Sequence, residues 1–132
     1  MIVVDASVIA PALIDDEALG DRLRARMADE SLTAPAVVDL EVVSAWRGHA
    51  RAGRLSARRA DVALAHLAAF PLERAPHGPL IGRIWDLRDN LTAYDAAYVA
   101  LAESLETLLL TGDERLARAP GIRCEVEVLP GE

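Results

Sequence analysis

The stretch MIVVDASVIAPALI, residues 1–14, places three β-branched residues, Ile2, Val3 and Val4, directly before an acid, Asp5. A helical pattern then runs from Ala6 to Ile14. A short apolar β-branched run bounded by a polar residue reads as a buried strand. Strands buried on both faces belong to parallel sheets whose crossovers are helices. The same order returns at residues 107–118, TLLLTGDERLAR, where the run Thr107 to Leu110 precedes a tight turn, Asp113 and a short helix to Arg118. Outward from these two stretches, further strands are expected at Leu32 to Ala34 and Pro71 to Arg74, with an edge strand at Cys124 to Leu129. Helices are expected at Ala18 to Ala28, Val37 to Ala52, from the N-cap Ser56 to Ala69, Pro79 to Leu87, and Thr92 to Ser104. Strands alternating with helices predict an α/β fold with a central, mainly parallel sheet.

Whole-chain properties narrow the function. At 132 residues, 1–132 is expected to form a single domain. Only 4% of residues are aromatic against 52% hydrophobic, so Ala, Val, Leu and Ile must build the core. No apolar run approaches the roughly 20 residues that span a bilayer. The start MIVVDAS has neither the basic region nor the apolar block of a signal peptide, and a cytoplasmic protein with no membrane association is expected. The lone Cys124 excludes an internal disulfide framework and a cysteine zinc site. All 14 basic residues are arginine. Phosphatase-like and receiver-type folds, which carry an aspartate after the first strand, also want a second acid and a lysine. This chain has Ser7 two residues on and no lysine. A net charge of −7 makes it a poor general binder of nucleic acid, so local arginines and bound cations would have to offset the repulsion.

Four carboxylates carry the chemistry. Asp5 follows its strand directly and Asp113 follows its own after a two-residue turn, and in open α/β sheets ligands bind beyond the carboxyl ends of the strands. Glu41 and Asp95 lie within helical stretches. The neighbours of Glu41 at three and four positions are Val37, Val38, Ser44 and Ala45; those of Asp95 are Leu91, Thr92, Tyr98 and Val99. Both acids therefore share a mostly apolar face that turns toward the core. A buried carboxylate must be paired, protonated or bound to metal. Capping is the competing account: Asp5 and Asp113 stand at N-cap positions, and Thr92-x-x-Asp95 and Thr111-x-x-Glu114 have capping-box spacing. Glu41 lies beyond the first turn of its expected helix and has the weakest such alternative. Four acids meeting at one sheet edge repel one another. They suit Mg²⁺ or Mn²⁺, hard ions that prefer oxygen ligands. Such ions promote in-line displacement at phosphorus, which makes phosphodiester cleavage the natural reaction.

The segments VVDASVIA, DLEVVSAWR, LTAYDAAYVALAE and LLTGDERLA resemble, in order and spacing, the four acid-bearing motifs of PIN-domain nucleases. The wording YDAAYVALAE and the chain length are similar to the VapC toxins within that family. The resemblance runs from near the first residue to about Leu116. It implies a three-layer α/β/α fold, homodimerisation, and Mg²⁺- or Mn²⁺-dependent endoribonuclease activity on a transfer, ribosomal or messenger RNA. It also implies a VapB-type antitoxin that holds the toxin in a hetero-oligomer. It assigns Asp5, Glu41, Asp95 and Asp113 as catalytic metal-site acids, with Ser7 and Thr111 as supporting hydroxyls. The alternative is a catalytically silent PIN scaffold that binds RNA or protein; loss of an acid would mark it, and all four are present. A DNA nuclease of related fold would need added helices, for which the chain lacks room.

Between Val42 and Ala60 stand Arg47, Arg51, Arg54, Arg58 and Arg59, with no acid. The first four could align as a phosphate track if one helix ran through Gly48 and Gly53; a solvated helix face or salt bridges are the alternative. Arg115, beside Asp113, is a further candidate for phosphate. Trp46 and Trp85 are expected in core or dimer packing rather than base stacking, and His49, His66 and His77 lack ligand spacing.

Overall fold

Strand β1 (Ile2–Val4) is buried at every position, and it occupies the middle of the sheet. In the computed structural model, which describes residues 1–129, it is joined by β2 (Leu32–Pro35), β3 (Leu72–Ala75), β4 (Leu109–Thr111) and β5 (Val126–Val128). The order is β3-β2-β1-β4-β5, and all four pairings are parallel. Ile2 faces Leu32, and Val3 faces Leu109 on the other side.

Among the described residues seven α-helices connect the strands: α1 (Ala6–Ile14), α2 (Ala18–Met27), α3 (Val38–Arg51), α4 (Ala57–Ala69), α5 (Ile81–Asp86), α6 (Ala93–Ser104) and α7 (Glu114–Arg118). From β1 the chain steps outward to β2 and β3, then crosses back to β4 and steps the other way to β5. Right-handed crossovers put helices made in opposite directions on opposite faces. In agreement, α1 packs on α2, α3 and α4, whereas α5 packs on α6, which lies against β1, β2 and β4. The result is the expected three-layer α/β/α arrangement. The step reverses between β1 and β4, so a crevice opens at their carboxyl ends, and Asp5 and Asp113 follow those two strands.

Local boundaries differ from expectation for identifiable reasons. Strand β4 begins at Leu109 rather than Thr107 because the two residues before Leu108 close α6. Glu106 is left-handed (φ 52°), its N–H donates to Glu103, and the Thr107 N–H donates to the Ala102 carbonyl. The stretch expected as one helix from Pro79 opens with a 3₁₀ turn, Gly78–Leu80. The continuous arginine track does not form. Gly48 is tolerated inside α3, but Gly53 adopts φ +76° and ends the run, so Arg54 sits in the turn and Arg58 in the first turn of α4.

At the α1–α2 corner, Arg24 Nη1 donates to the carbonyls of Ala12 (2.6 Å) and Asp15 (2.8 Å), which end α1. Gly20 allows that approach, since a Cβ there would stand 1.9 Å from the Asp15 carbonyl oxygen. Trp46 lies in the core, and its indole N–H donates to the Ala10 carbonyl at 3.0 Å, fixing α3 to α1. Among the described residues no helix is long and apolar enough to cross a membrane.

Candidate active site

Asp5 is buried (7% exposed) and precedes α1, but its carboxylate does not cap that helix. Its Oδ2 instead accepts two hydroxyl hydrogen bonds, from Ser7 at 3.0 Å and from Thr111 at 2.7 Å. Each hydroxyl has a single proton, so both are committed to Asp5, and the 3.3 Å approach of Ser7 Oγ to Thr111 Oγ1 is a contact rather than a third bond. The hydroxyls are themselves oriented by backbone: Gly112 N–H donates to Ser7 Oγ (2.9 Å) and Asp113 N–H to Thr111 Oγ1 (3.1 Å). The turn after β4 thus aims the donors that hold an acid on β1. Asp5 Oδ1 takes no protein hydrogen bond among the described residues. Since no buried side-chain oxygen among the described residues lacks a partner, that oxygen opens to water.

Glu41 falls in the first turn of α3, not beyond it as expected, because the helix begins at Val38. It makes no cap, and its Oε1 accepts from the Tyr98 hydroxyl at 2.6 Å. Burial pushes the Glu41 carboxyl above the ordinary range; the tyrosine hydrogen bond opposes that, and the charges of Asp5 and Asp95 add to it. Asp95 is likewise pushed up, first by burial, then by Asp5 and Asp113. The capping reading of Thr92 is also correct, since its hydroxyl accepts from the Asp95 N–H at 3.1 Å. Asp95 therefore occupies a capped turn while its carboxylate remains among the other acids. The charge of Asp5 is felt at Glu41 and Asp95, and that of Asp113 at Asp95, so the four acids lie within electrostatic reach along one edge.

Asp113 behaves differently. It is the N-cap of α7, accepting from the Arg115 N–H at 2.9 Å, so the cap is Asp113 and not Thr111. The Arg115 guanidinium also holds it, with Nη2 at 2.9 Å from Oδ2 and Nε at 3.2 Å from Oδ1, and this holds the Asp113 carboxyl below the ordinary range. Arg115 is 87% exposed at the rim. Arg47 and Arg51 on α3, Arg54 in the turn and Arg58 at the start of α4 are all exposed and without carboxylate partners among the described residues, whereas Arg59 pairs with Asp16. Trp85 is exposed, with Arg88 stacked 4.5 Å from its ring, so it does not join the core.

Tyr98 is the site residue that sequence reasoning missed. It is fully buried, and the only sign of it was its position one turn after Asp95 on the same face. Burial and the Glu41 charge hold its hydroxyl protonated as a donor.

The donors at this edge are all oxygens, which matches a hard divalent cation. Among the described residues no three acidic, histidine or cysteine side chains converge tightly enough to cage one ion directly. Mg²⁺ does not require that, since it keeps several waters and commonly takes only one or two carboxylates. The donor set fits such an ion. A groove of about 650 Å³ lies elsewhere, at the amino ends of β4 and β5 beside Glu103 and Cys124. Glu103 there is neutralised by Arg83 (2.6 Å), so it offers no comparable chemistry.

Comparison with known proteins agrees with the geometry. The PIN-domain family profile matches residues 2–122. The chain is 42% identical over 128 residues to ribonuclease VapC1 of Mycobacterium tuberculosis, covering 96% of each chain. It is 42% identical over 130 residues to ribonuclease VapC9 of the same species, covering 98% of this chain and 99% of that one. In structure it is similar to VapBC2 from Rickettsia felis bound to a promoter DNA fragment, with TM-score 0.65, 14% identity, and 96% and 98% of the two chains covered. A toxin–antitoxin complex from Klebsiella pneumoniae gives TM-score 0.62 at 16% identity, with 96% of each chain covered. The chain belongs to the PIN-domain family, and within it to the group named VapC.

Proposed function

We propose that this chain is a Mg²⁺- or Mn²⁺-dependent endoribonuclease and the toxin of a toxin–antitoxin pair. The observation that carries the reading is Asp5, held on one oxygen by Ser7 and Thr111 with its other oxygen open, beside the half-buried Glu41 and Asp95. A structural carboxylate would satisfy both oxygens within the fold; this one is rigid yet half unused. Asp5, Glu41, Asp95 and Asp113 would hold the ion, which when bound lowers the pKa of a water and neutralises phosphate charge. Asp95 forms no ion pair among the described residues, which leaves its carboxylate free for that ion. Arg115 reaches from the rim toward the incoming phosphodiester, releasing Asp113 as it does so.

The names of the relatives support ribonuclease activity, and the titles of the structural neighbours support a VapB-type antitoxin as partner. A homodimer within a larger toxin–antitoxin assembly is part of the same proposal. The test is incubation of the purified chain, freed of antitoxin, with total bacterial RNA in Mg²⁺, Mn²⁺ or excess chelator, with Asp95→Asn alongside. Discrete fragments that need the ion and are absent with Asp95→Asn are expected. Matching lanes from folded wild type and variant would move the assignment to a binding scaffold.

A further inference from the structure

We infer that Tyr98 is a positioning residue for divalent-cation binding, acting through Glu41. The inference rests on the proposed metal site and adds to it a residue outside the acid set. Three observations carry it. The Tyr98 hydroxyl donates to Glu41 Oε1 at 2.6 Å, a short, charge-assisted distance. The tyrosine is fully buried in α6, so its ring cannot swing to a second position without opening the core. Glu41 is on α3, 57 residues away, and makes no other side-chain hydrogen bond or ion pair among the described residues.

A glutamate has three side-chain torsions, and at a half-exposed edge it would sample several rotamers. Tyr98 selects one of them by its grip on Oε1 and leaves Oε2 uncommitted. Asp5 shows the same arrangement on β1, where Ser7 and Thr111 grip Oδ2 and leave Oδ1 open. The two acids are therefore each held by one oxygen with the other in reserve. Ordering Glu41 in advance removes a cost that the cation would otherwise have to meet on binding. Partners of this kind commonly change metal affinity about 10- to 100-fold when removed.

The test is Mn²⁺ titration of the purified chain, followed by the loss of the free-ion paramagnetic resonance signal, with no RNA present. Four proteins are compared: wild type, Tyr98→Phe, Glu41→Gln and the double variant, each with its thermal midpoint measured. Tyr98→Phe is expected to bind Mn²⁺ about 10-fold or more weakly, and to have no further effect once Glu41 is replaced. An unchanged Mn²⁺ affinity in folded Tyr98→Phe overturns the inference while leaving the metal site standing. Equal weakening with and without Glu41 also overturns it, because the tyrosine would then act on the fold at large. If wild type itself binds no Mn²⁺, the metal reading fails and takes this role of Tyr98 with it. Should Tyr98→Phe not fold, Tyr98→His and Tyr98→Gln, which keep a donor, replace it, and recovery of affinity by neither overturns the inference.

Discussion

Replacing Thr111 by valine isolates the hydroxyl that links the end of β4 to the acid after β1. Valine keeps the shape of threonine at a position with no exposure, so packing changes little. Two hydrogen bonds are lost: the 2.7 Å donation to the Asp5 carboxylate and the 3.1 Å acceptance from Asp113 N–H. A hydrogen bond to a charged group contributes about 1.5–3 kcal/mol and a neutral one about 0.5–1.5 kcal/mol. Water can reach the Asp5 side of the cluster and recover part of this, which brings the net loss to about 2 kcal/mol. For a chain of this length, that lowers the thermal midpoint by about 6–8 °C. Thr111→Ser is the control: it keeps the hydroxyl and removes one buried methyl, costing about 1 kcal/mol. Urea unfolding followed by circular dichroism at neutral pH, with equal m-values across the series, gives the comparison. If the valine variant is as stable as the serine variant or more so, the hydroxyl does not hold Asp5 in the way described.

Glu41 and Asp95 have carboxyls raised above their ordinary 4.5 and 3.8, so the folded state binds their protons more tightly than the unfolded chain does. Their contribution to stability must therefore fall as pH rises through the window above those ordinary values, and metal-free Glu41→Gln or Asp95→Asn should flatten that slope in unfolding titrations. A wild-type slope retained in both variants would contradict the assignment. The same Asp95→Asn should remove RNA cleavage without lowering the thermal midpoint; a folded, fully active protein would take Asp95 out of the reaction. Asp113 has the opposite sign: its carboxyl is held low by Arg115, so that stabilisation is present above its ordinary 3.8 and is lost as pH falls through the depressed value. Arg115→Ala should raise the Asp113 titration seen by NMR, leave melting nearly unchanged at so exposed a position, and reduce the salt slope of RNA binding by about one. Gly20→Ala should lower stability by more than about 2 kcal/mol, because its Cβ meets backbone and not a movable side chain; a neutral melting curve would show that the α1–α2 corner can open.

Much of this was legible because local rules act over a few residues. Ser56, Thr92 and Asp113 cap helices as their positions implied, and the apolar runs at Ile2 and Leu109 lie in the centre of the sheet. The edge strand expected from Cys124 shortened to Val126–Val128, although one ladder bond extends it at each end. The arginine track failed at a single backbone angle. Spacing alone does not show whether a glycine remains helical, as Gly48 does, or turns left-handed, as Gly53 does. The Tyr98 bond to Glu41 was out of reach for another reason. Helical periodicity shows which face turns inward, but not which side chain of another helix it meets there. Trp46 and Trp85 illustrate the same limit, one in the core and the other stacked under Arg88 at the surface.

The hydroxyls that grip Asp5 come from residues 2 and 106 positions away in the chain. The first is present as soon as α1 forms. The second arrives only when β4 has docked beside β1, which requires the chain as far as Thr111. During synthesis, chains grow from the amino end, so Asp5 emerges first and waits through more than a hundred residues for Thr111. A ribosome-bound fragment ending before β4 carries three of the four acids but not the strand that arms the first of them. The surroundings of Asp5 are thus complete only once β4 lies beside β1.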